Sequence, residues 1–175
     1  MKALYFFLLV LFFYSCEKID LPRDNPLDNN SGSGKPEIVF SKYDIVYDGD
    51  NLLNPSLNGN GIINKTESVK LKIYLKNNGS KPANKVKGTI TCSNSYVTNL
   101  SPTGSISFNS HSLTADDYIP INEERYGYAG SFPVEYTISF DIPYGAYTGA
   151  SPTFTISITD ESLNQWTDTF TITIY

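Results

Sequence analysis

The sequence predicts an all-β chain, an immunoglobulin-like sandwich of roughly seven to nine antiparallel strands. Three observations carry this prediction. Apolar residues recur with period two in run after run, the spacing of strands whose successive side chains point to opposite faces. Clusters of Gly, Pro, Asn, Asp and Ser break these runs at intervals of about 8 to 15 residues. No stretch shows a helical period of 3.6.

Each element follows from its own pattern. Residues 37–47 read as a first strand. Over 68–76, Val69, Leu71, Ile73 and Leu75 share one face, and Lys70, Lys72, Tyr74 and Lys76 share the other. Over 84–92, Val86, Ile90 and Cys92 point inward, against Lys85, Lys87, Thr89 and Thr91. Weaker strands fall at 96–99, 104–108 and 112–118. The longest covers 132–142, with Phe132, Val134, Tyr136, Ile138, Phe140 and Ile142 inward and Pro133, Glu135, Thr137, Ser139 and Asp141 outward. Phe154, Ile156 and Ile158 face inward on the next strand. Trp166, Phe170, Ile172 and Ile174 do so on the last. The polar turn DESLN at 160–164 joins these two as a hairpin. Outward Thr, Tyr and Lys suit strands and protect exposed edges. No internal repeat is visible, and the Cys–Trp–Cys spacing of antibody domains is absent.

The N-terminal fifth of the chain differs. Met1 and Lys2 precede an apolar run that ends at Ser15. A run this short falls below the roughly 20 residues that span a membrane and reads as a signal-peptide core. The segment Phe13-Tyr14-Ser15-Cys16 resembles a lipobox, in the relaxed form of Bacteroidetes-type lipoproteins. That implies cleavage after residue 15, acylation (palmitate among the chains) of Cys16, and a durable membrane anchor from two or more acyl chains. A secretory signal cut elsewhere is the alternative. Residues 17–35 are rich in Pro, Asp, Asn, Gly and Ser and read as a flexible tether. Their acidic start at Glu17 and Asp20 resembles an address for the outer face, or is a plain spacer. The expected layout is signal peptide 1–15, acylated Cys16 and linker to 35, and sandwich domain 36–175. The expected place is the cell envelope, lipid-anchored at the outer membrane, periplasmic or surface-exposed.

Charge and cysteine content narrow the function classes. Removing Lys2 leaves 12 basic against 18 acidic residues, which shifts the formal charge from -5 to -6. Such a surface argues against nucleic acid or anionic lipid as partners. Cys92 remains beside Cys16, so an internal disulfide in the mature domain is excluded. Its strand parity makes it a small buried hydrophobe. The single histidine, His111, sits in no catalytic motif.

Two segments, 58–91 and 154–175, together with Ser-Tyr-Val-Thr at 95–98, resemble an Ig-like accessory module of Bacteroidetes-type surface proteins. That module accompanies gingipain-type cysteine proteases. Its pattern is N-x-D-G-x-I-N-x-G-E before a strand, L-x-N-x-G after it, and W-T-D on the final strand. The resemblance implies a binding, spacing or stabilising role without chemistry of its own. The chain departs from it where Lys65-Thr66-Glu67 replaces Pro-Gly-Glu, and in a long aromatic connection at 116–130.

Two groups of residues are candidate sites. Ser56, Asn58, Asn60 and Glu67 follow the oxygen spacing of a calcium loop, with Gly61 at its sixth position. Asp44, Asp48 and Asp50 add charge if the strand folds back. The alternative is a Gly-Asn turn in which Asn60 and Gly61 take positive φ and Glu67 opens the next strand. The second group is Tyr118, Tyr126, Tyr128, Tyr144 and Tyr147, in or beside loops. Tyrosine is a large amphipathic recognition residue, and loops on a rigid scaffold concentrate binding. Asp116, Asp117, Glu123, Glu124 and Arg125 supply hydrogen bonds beside them. The alternative is that some of these rings cap the sandwich. Trp166 is assigned to the core.

No G-x-S-x-G elbow, H-E-x-x-H, P-loop or metal-ligating cluster appears, and the adjacent Asp116 and Asp117 point apart on an extended chain. The expectation is a non-enzymatic surface lipoprotein serving protein interaction or adhesion, with no cofactor beyond calcium. The alternatives are a glycan-binding lipoprotein of a polysaccharide-uptake system and a structural subunit of an envelope complex.

Overall fold

The computed structural model describes residues 34–108, 118–129 and 135–175. Cys16, the leader, most of the tether, His111, Asp116, Asp117, the 112–117 part of the expected strand, and Phe132 to Val134 of the longest one lie outside the described residues. The rest is an antiparallel two-sheet sandwich. Its strands are β1 (Ile38–Gly49), β2 (Ser68–Asn77), β3 (Ala83–Asn84), β4 (Lys87–Cys92), β5 (Thr98–Ser101), β6 (Ile106–Ser107), β7 (Tyr118–Ile119), β8 (Glu124–Tyr126), β9 (Ile138–Asp141), β10 (Thr153–Thr159) and β11 (Gln165–Thr171). One sheet has the order β1-β2-β9-β5, with β8 also on β2. The other has the order β11-β10-β4-β6, and β3 with β7 forms a small third ladder.

The alternation of β2 holds over its whole length: Val69, Leu71, Ile73 and Leu75 are fully buried. β10 does the same with Phe154, Ile156 and Ile158. Between the sheets runs a line of rings. Phe40 of β1 stacks on Phe170 of β11 at 4.9 Å, Phe170 stacks on Phe154 at 4.9 Å, and Phe154 meets Phe140 of β9 at 5.3 Å. Burying each such ring stabilises the fold by about 1.5–3 kcal/mol. The β10–β11 hairpin forms as expected, with Thr159 opposite Gln165. The Asp160 carboxylate closes it by accepting the Asn164 N–H at 2.9 Å and its side-chain amide at 2.8 Å.

Four expectations are corrected. The strand at 84–92 divides, because Lys85 takes φ 47° and sends β3 and β4 into different ladders. The weak strands shift or shrink to β5 and β6. Cys92 and Trp166 are half-buried at the margin of the core rather than inside it. The alternation over 132–142 breaks at Thr137. Thr137 is buried beside Ile138, while Tyr136 stands on the outer face. The reason lies in the ladder. β9 and β8 both pair with the same side of β2, and their junction leaves β2 groups without a strand partner. Thr137 fills that gap. Its N–H donates to the Leu71 carbonyl at 2.7 Å. Its hydroxyl accepts the Ile73 N–H at 2.9 Å and donates to the Gly127 carbonyl. A side chain at Gly127 would collide with Ile106, Thr137 and Phe108, so glycine is required where β8 ends.

A second side chain joins the sheets at their edges. Asp168 shares the inner parity of Trp166 and Phe170. Its carboxylate accepts the Phe40 N–H of β1 at 2.8 Å and the Thr169 N–H of its own strand at 2.8 Å.

Both polar bridges are testable by urea unfolding. Thr137→Val orphans the buried Ile73 donor and Gly127 acceptor, at about 1–3 kcal/mol each. Thr137→Ser keeps the hydroxyl and should cost only about 1 kcal/mol for the lost methyl. Asp168→Ala should lower stability by about 1–3 kcal/mol through the orphaned Phe40 N–H.

Candidate functional site

One end of the sandwich gathers the β1–β2 connection at 50–67, the β4–β5 connection, the segment 142–152 and the C-terminal segment. Backbone hydrogen bonds tie three of these together: Thr66 N–H to Ile142 O at 2.8 Å, Tyr175 N–H to Ile63 O at 2.9 Å, and Gly149 N–H to Ile174 O at 2.6 Å.

Polar side chains hold the shape of the long β1–β2 connection. Asn51, only 3% exposed, is its hub. Its Oδ1 accepts the Leu53 N–H at 3.2 Å, the Asn54 N–H at 2.9 Å and the Thr66 hydroxyl at 2.9 Å. Its Nδ2 donates to Lys65 O at 2.9 Å. Asp48 takes the Gly59 N–H on its carbonyl at 2.6 Å and the Gly61 N–H on its carboxylate at 2.8 Å. Side-chain oxygens that accept local N–H groups build such turns routinely.

The calcium candidates take part in the same network. The Ser56 hydroxyl donates to Asn54 at 2.6 Å. Asn58 Oδ1 accepts the Asn51 N–H at 2.7 Å, and Asn60 Oδ1 accepts the Ile62 N–H at 2.7 Å. Glu67, 1% exposed, accepts the Asn64 N–H at 2.7 Å and its side-chain amide at 3.1 Å. Each of the four side chains thus has a hydrogen-bond partner within the loop. Among the described residues no group of three His, Cys, Asp or Glu is placed to hold a metal ion. Positive φ falls on Gly59 and Gly61, at 70° and 76°, rather than on Asn60, and Glu67 directly precedes β2.

This locked loop displays apolar side chains. Leu52 is 89% exposed and Leu53 66%. Leu53 lines a surface groove of about 300 Å³ together with Leu57, Thr66, Tyr144, Thr148 and Tyr175. Tyr144 and Tyr147 are exposed beside it, and Tyr147 meets Tyr96 edge-on at 5.7 Å. Ala146 is buried between them and pins their turn to the core.

No protein-family model matches the chain, and no curated protein matches it.

The five candidate tyrosines do not form one site. Tyr144 and Tyr147 stand at this loop end. Tyr118 lies in β7 opposite Asn84, Tyr128 is half-buried just beyond β8, and Tyr126 lies on the open face of the first sheet. Of the polar residues predicted beside them, Glu123 pairs with Arg125 at 2.8 Å, and Glu124 accepts the Ser41 hydroxyl and lies 3.9 Å from Lys42.

That open face carries a lattice of rings and ammonium groups, which the period-two pattern marks only as outward. Lys42 lies over Tyr74 at 4.6 Å, and Lys72 over Tyr126 at 4.3 Å. Lys70 lies 5.1 Å from the rings of both Tyr47 and Tyr136. Cation–ring contacts of this kind contribute about 0.5–1 kcal/mol at exposed sites. Tyr74 and Tyr126 meet at 5.6 Å. Partial burial, with the Asp44 carboxylate hydrogen-bonded to the phenol, pushes Tyr74 up to about 12. Partial burial and the Glu135 carboxylate, 2.7 Å from the Tyr126 hydroxyl, do the same to Tyr126, also to about 12.

The lattice should show itself in alkaline titration. Folding raises these two phenols above the usual 10.0. Their stabilising effect is therefore complete below pH 10 and is lost as pH rises toward 12, because the unfolded chain gives up its protons first. Ultraviolet titration of the folded protein should resolve a late tyrosine step near pH 12, and Tyr74→Phe and Tyr126→Phe should each remove part of it.

Proposed function

We propose that the chain is a non-enzymatic lipoprotein, anchored to the envelope through Cys16, whose Ig-like sandwich binds a protein partner through its loop end. The observation that carries this reading is the display of Leu52, Leu53, Tyr144, Tyr147 and Tyr175, 58–89% exposed, on loops whose backbones are internally bonded. Clustered apolar side chains on a soluble domain mark interaction surfaces, and a locked backbone lowers the entropy lost on binding. The anchor reading is supported by the leader and by the small residue before Cys16. The module resemblance is supported by Thr66, which stands where the module has glycine. It is held at φ 67°, a conformation costly for a β-branched residue and free for glycine.

A second reading, glycan capture at the cell surface, is favoured by a polar cleft on the open sheet face, lined by Tyr47, Asp50, Lys70, Asn99 and Asp141.

The leading reading has a two-part test. The native protein should fractionate with outer membranes and Cys16→Ser should not. Soluble Cys16→Ser should capture a defined partner from envelope or host-surface extracts, and Leu53→Glu or Tyr144→Ser should reduce that capture at least tenfold while the fold is kept. Capture that ignores both substitutions would sink the loop-end assignment.

A further inference from the structure

We infer that the cleft on the open face of the first sheet binds an acidic saccharide, with the sugar carboxylate on Lys70 and the sugar hydroxyls on Asp50, Asp141 and Asn99. This inference rests on the saccharide-capture reading and is independent of the loop end.

The cleft encloses about 420 Å³, within the range of about 300–1,000 Å³ typical of small-ligand sites. Its floor is the β2–β9 ladder, where Ser68 faces Asp141, Val69 faces Phe140 and Lys70 faces Ser139. Val69 and Phe140 are buried, so the floor is rigid core backbone. The end of β1 forms one wall with Tyr47 and Asp50, and Asn99 of β5 forms the other.

Lys70 is the decisive group. Its ammonium is held between the Tyr47 and Tyr136 rings at 5.1 Å from each. Among the described residues, no carboxylate lies within ion-pair reach of it. Rings orient an ammonium without neutralising it, so Lys70 keeps its charge and its N–H donors for an incoming anion. Lys72, two positions along the same face, is held over Tyr126 in the same way and extends the cationic strip.

The rim selects against a bare anion. Asp50 accepts the Tyr47 phenol. Asp141 accepts the Ser68 hydroxyl on one oxygen and the Asn99 amide on the other, each at 2.7 Å. A carboxylate oxygen retains a second lone pair, so both acids remain able to accept ligand hydroxyls. A simple polyanion meets two negative charges there. A neutral sugar leaves the Lys70 charge unmatched. A uronate satisfies both sets of groups, because one molecule carries an anion and several O–H donors. Asp50, just past the end of β1, and Asn99, at the irregularity in β5, both take left-handed backbone, at φ 62° and 53°.

The test is calorimetric titration of the soluble Cys16→Ser protein with uronate trisaccharides (galacturonate, glucuronate and mannuronate), with neutral galactotriose, and with a short polyglutamate peptide. At least one uronate should bind, more tightly than galactotriose and polyglutamate by tenfold or more. Lys70→Gln should abolish that preference, Lys70→Arg should largely keep it, and Asp141→Asn should weaken the uronate and galactotriose together. Circular dichroism confirms that each variant is folded. Leu53→Glu should leave uronate binding unchanged, so failure here leaves the loop-end reading standing. The inference is overturned if no uronate binds, if galactotriose binds equally well, if polyglutamate binds as tightly, or if folded Lys70→Gln retains the preference.

Discussion

The strict alternation of β2 is the constraint on which the rest of this structure depends. Val69, Leu71, Ile73 and Leu75 are sealed in the core, and β1, β8 and β9 all hang on this strand. A slip of one residue would exchange its faces wholesale. Four β2 residues would bring ammonium groups and a phenol against the phenylalanine stack, and four aliphatic side chains would meet water. The same alternation therefore fixes the core and lays out Lys70, Lys72 and Tyr74 as neighbours on the outer face. Core and candidate binding face are two readings of one strand.

Much of this was legible in the sequence. The period-two runs of β2 and β10, the closing hairpin and the all-β class all follow from spacing alone. What escaped has physical causes. Lys85 enters a left-handed conformation inside a run that alternates without fault, and no residue pattern announces that break. Thr137 sits inward because two strands share one side of β2, a tertiary circumstance invisible to local periodicity. Trp166 has the right parity, yet β11 lies at a sheet edge, where inward residues are only half covered. Among the candidate site residues, the loop setting marks Tyr144 and Tyr147. Leu52 and Leu53 follow no strand period, yet a leucine pair inside an Asp-Asn-Leu-Leu-Asn stretch is itself a signal of apolar display. The oxygens that follow the calcium spacing also bond within the loop and help to fold it.

The loop end and the sheet face divide the surface by chemistry. At the end, side-chain amides and carboxylates are consumed in shaping backbone, which leaves aliphatic and phenolic groups for contact. On the face, tyrosines carry lysines as ring-held charges, and the nearby carboxylates Asp44 and Glu135 are engaged by phenols. The first surface suits a partner that buries area. The second suits one that presents directional polar groups.

The Asp168 carboxylate has a consequence beyond joining two sheets. The long border strands of the sandwich are β1, with 12 residues, and β11, with 7. They meet at the corner that Asp168 fastens. The other borders, β5, β6 and β8, are short, with 4, 2 and 3 residues. Among the described residues, Asp168 occupies one backbone amide of the longest border strand, Phe40 N–H, where an added strand would otherwise pair. A strand added at that corner would first have to displace the Asp168 carboxylate from the Phe40 N–H.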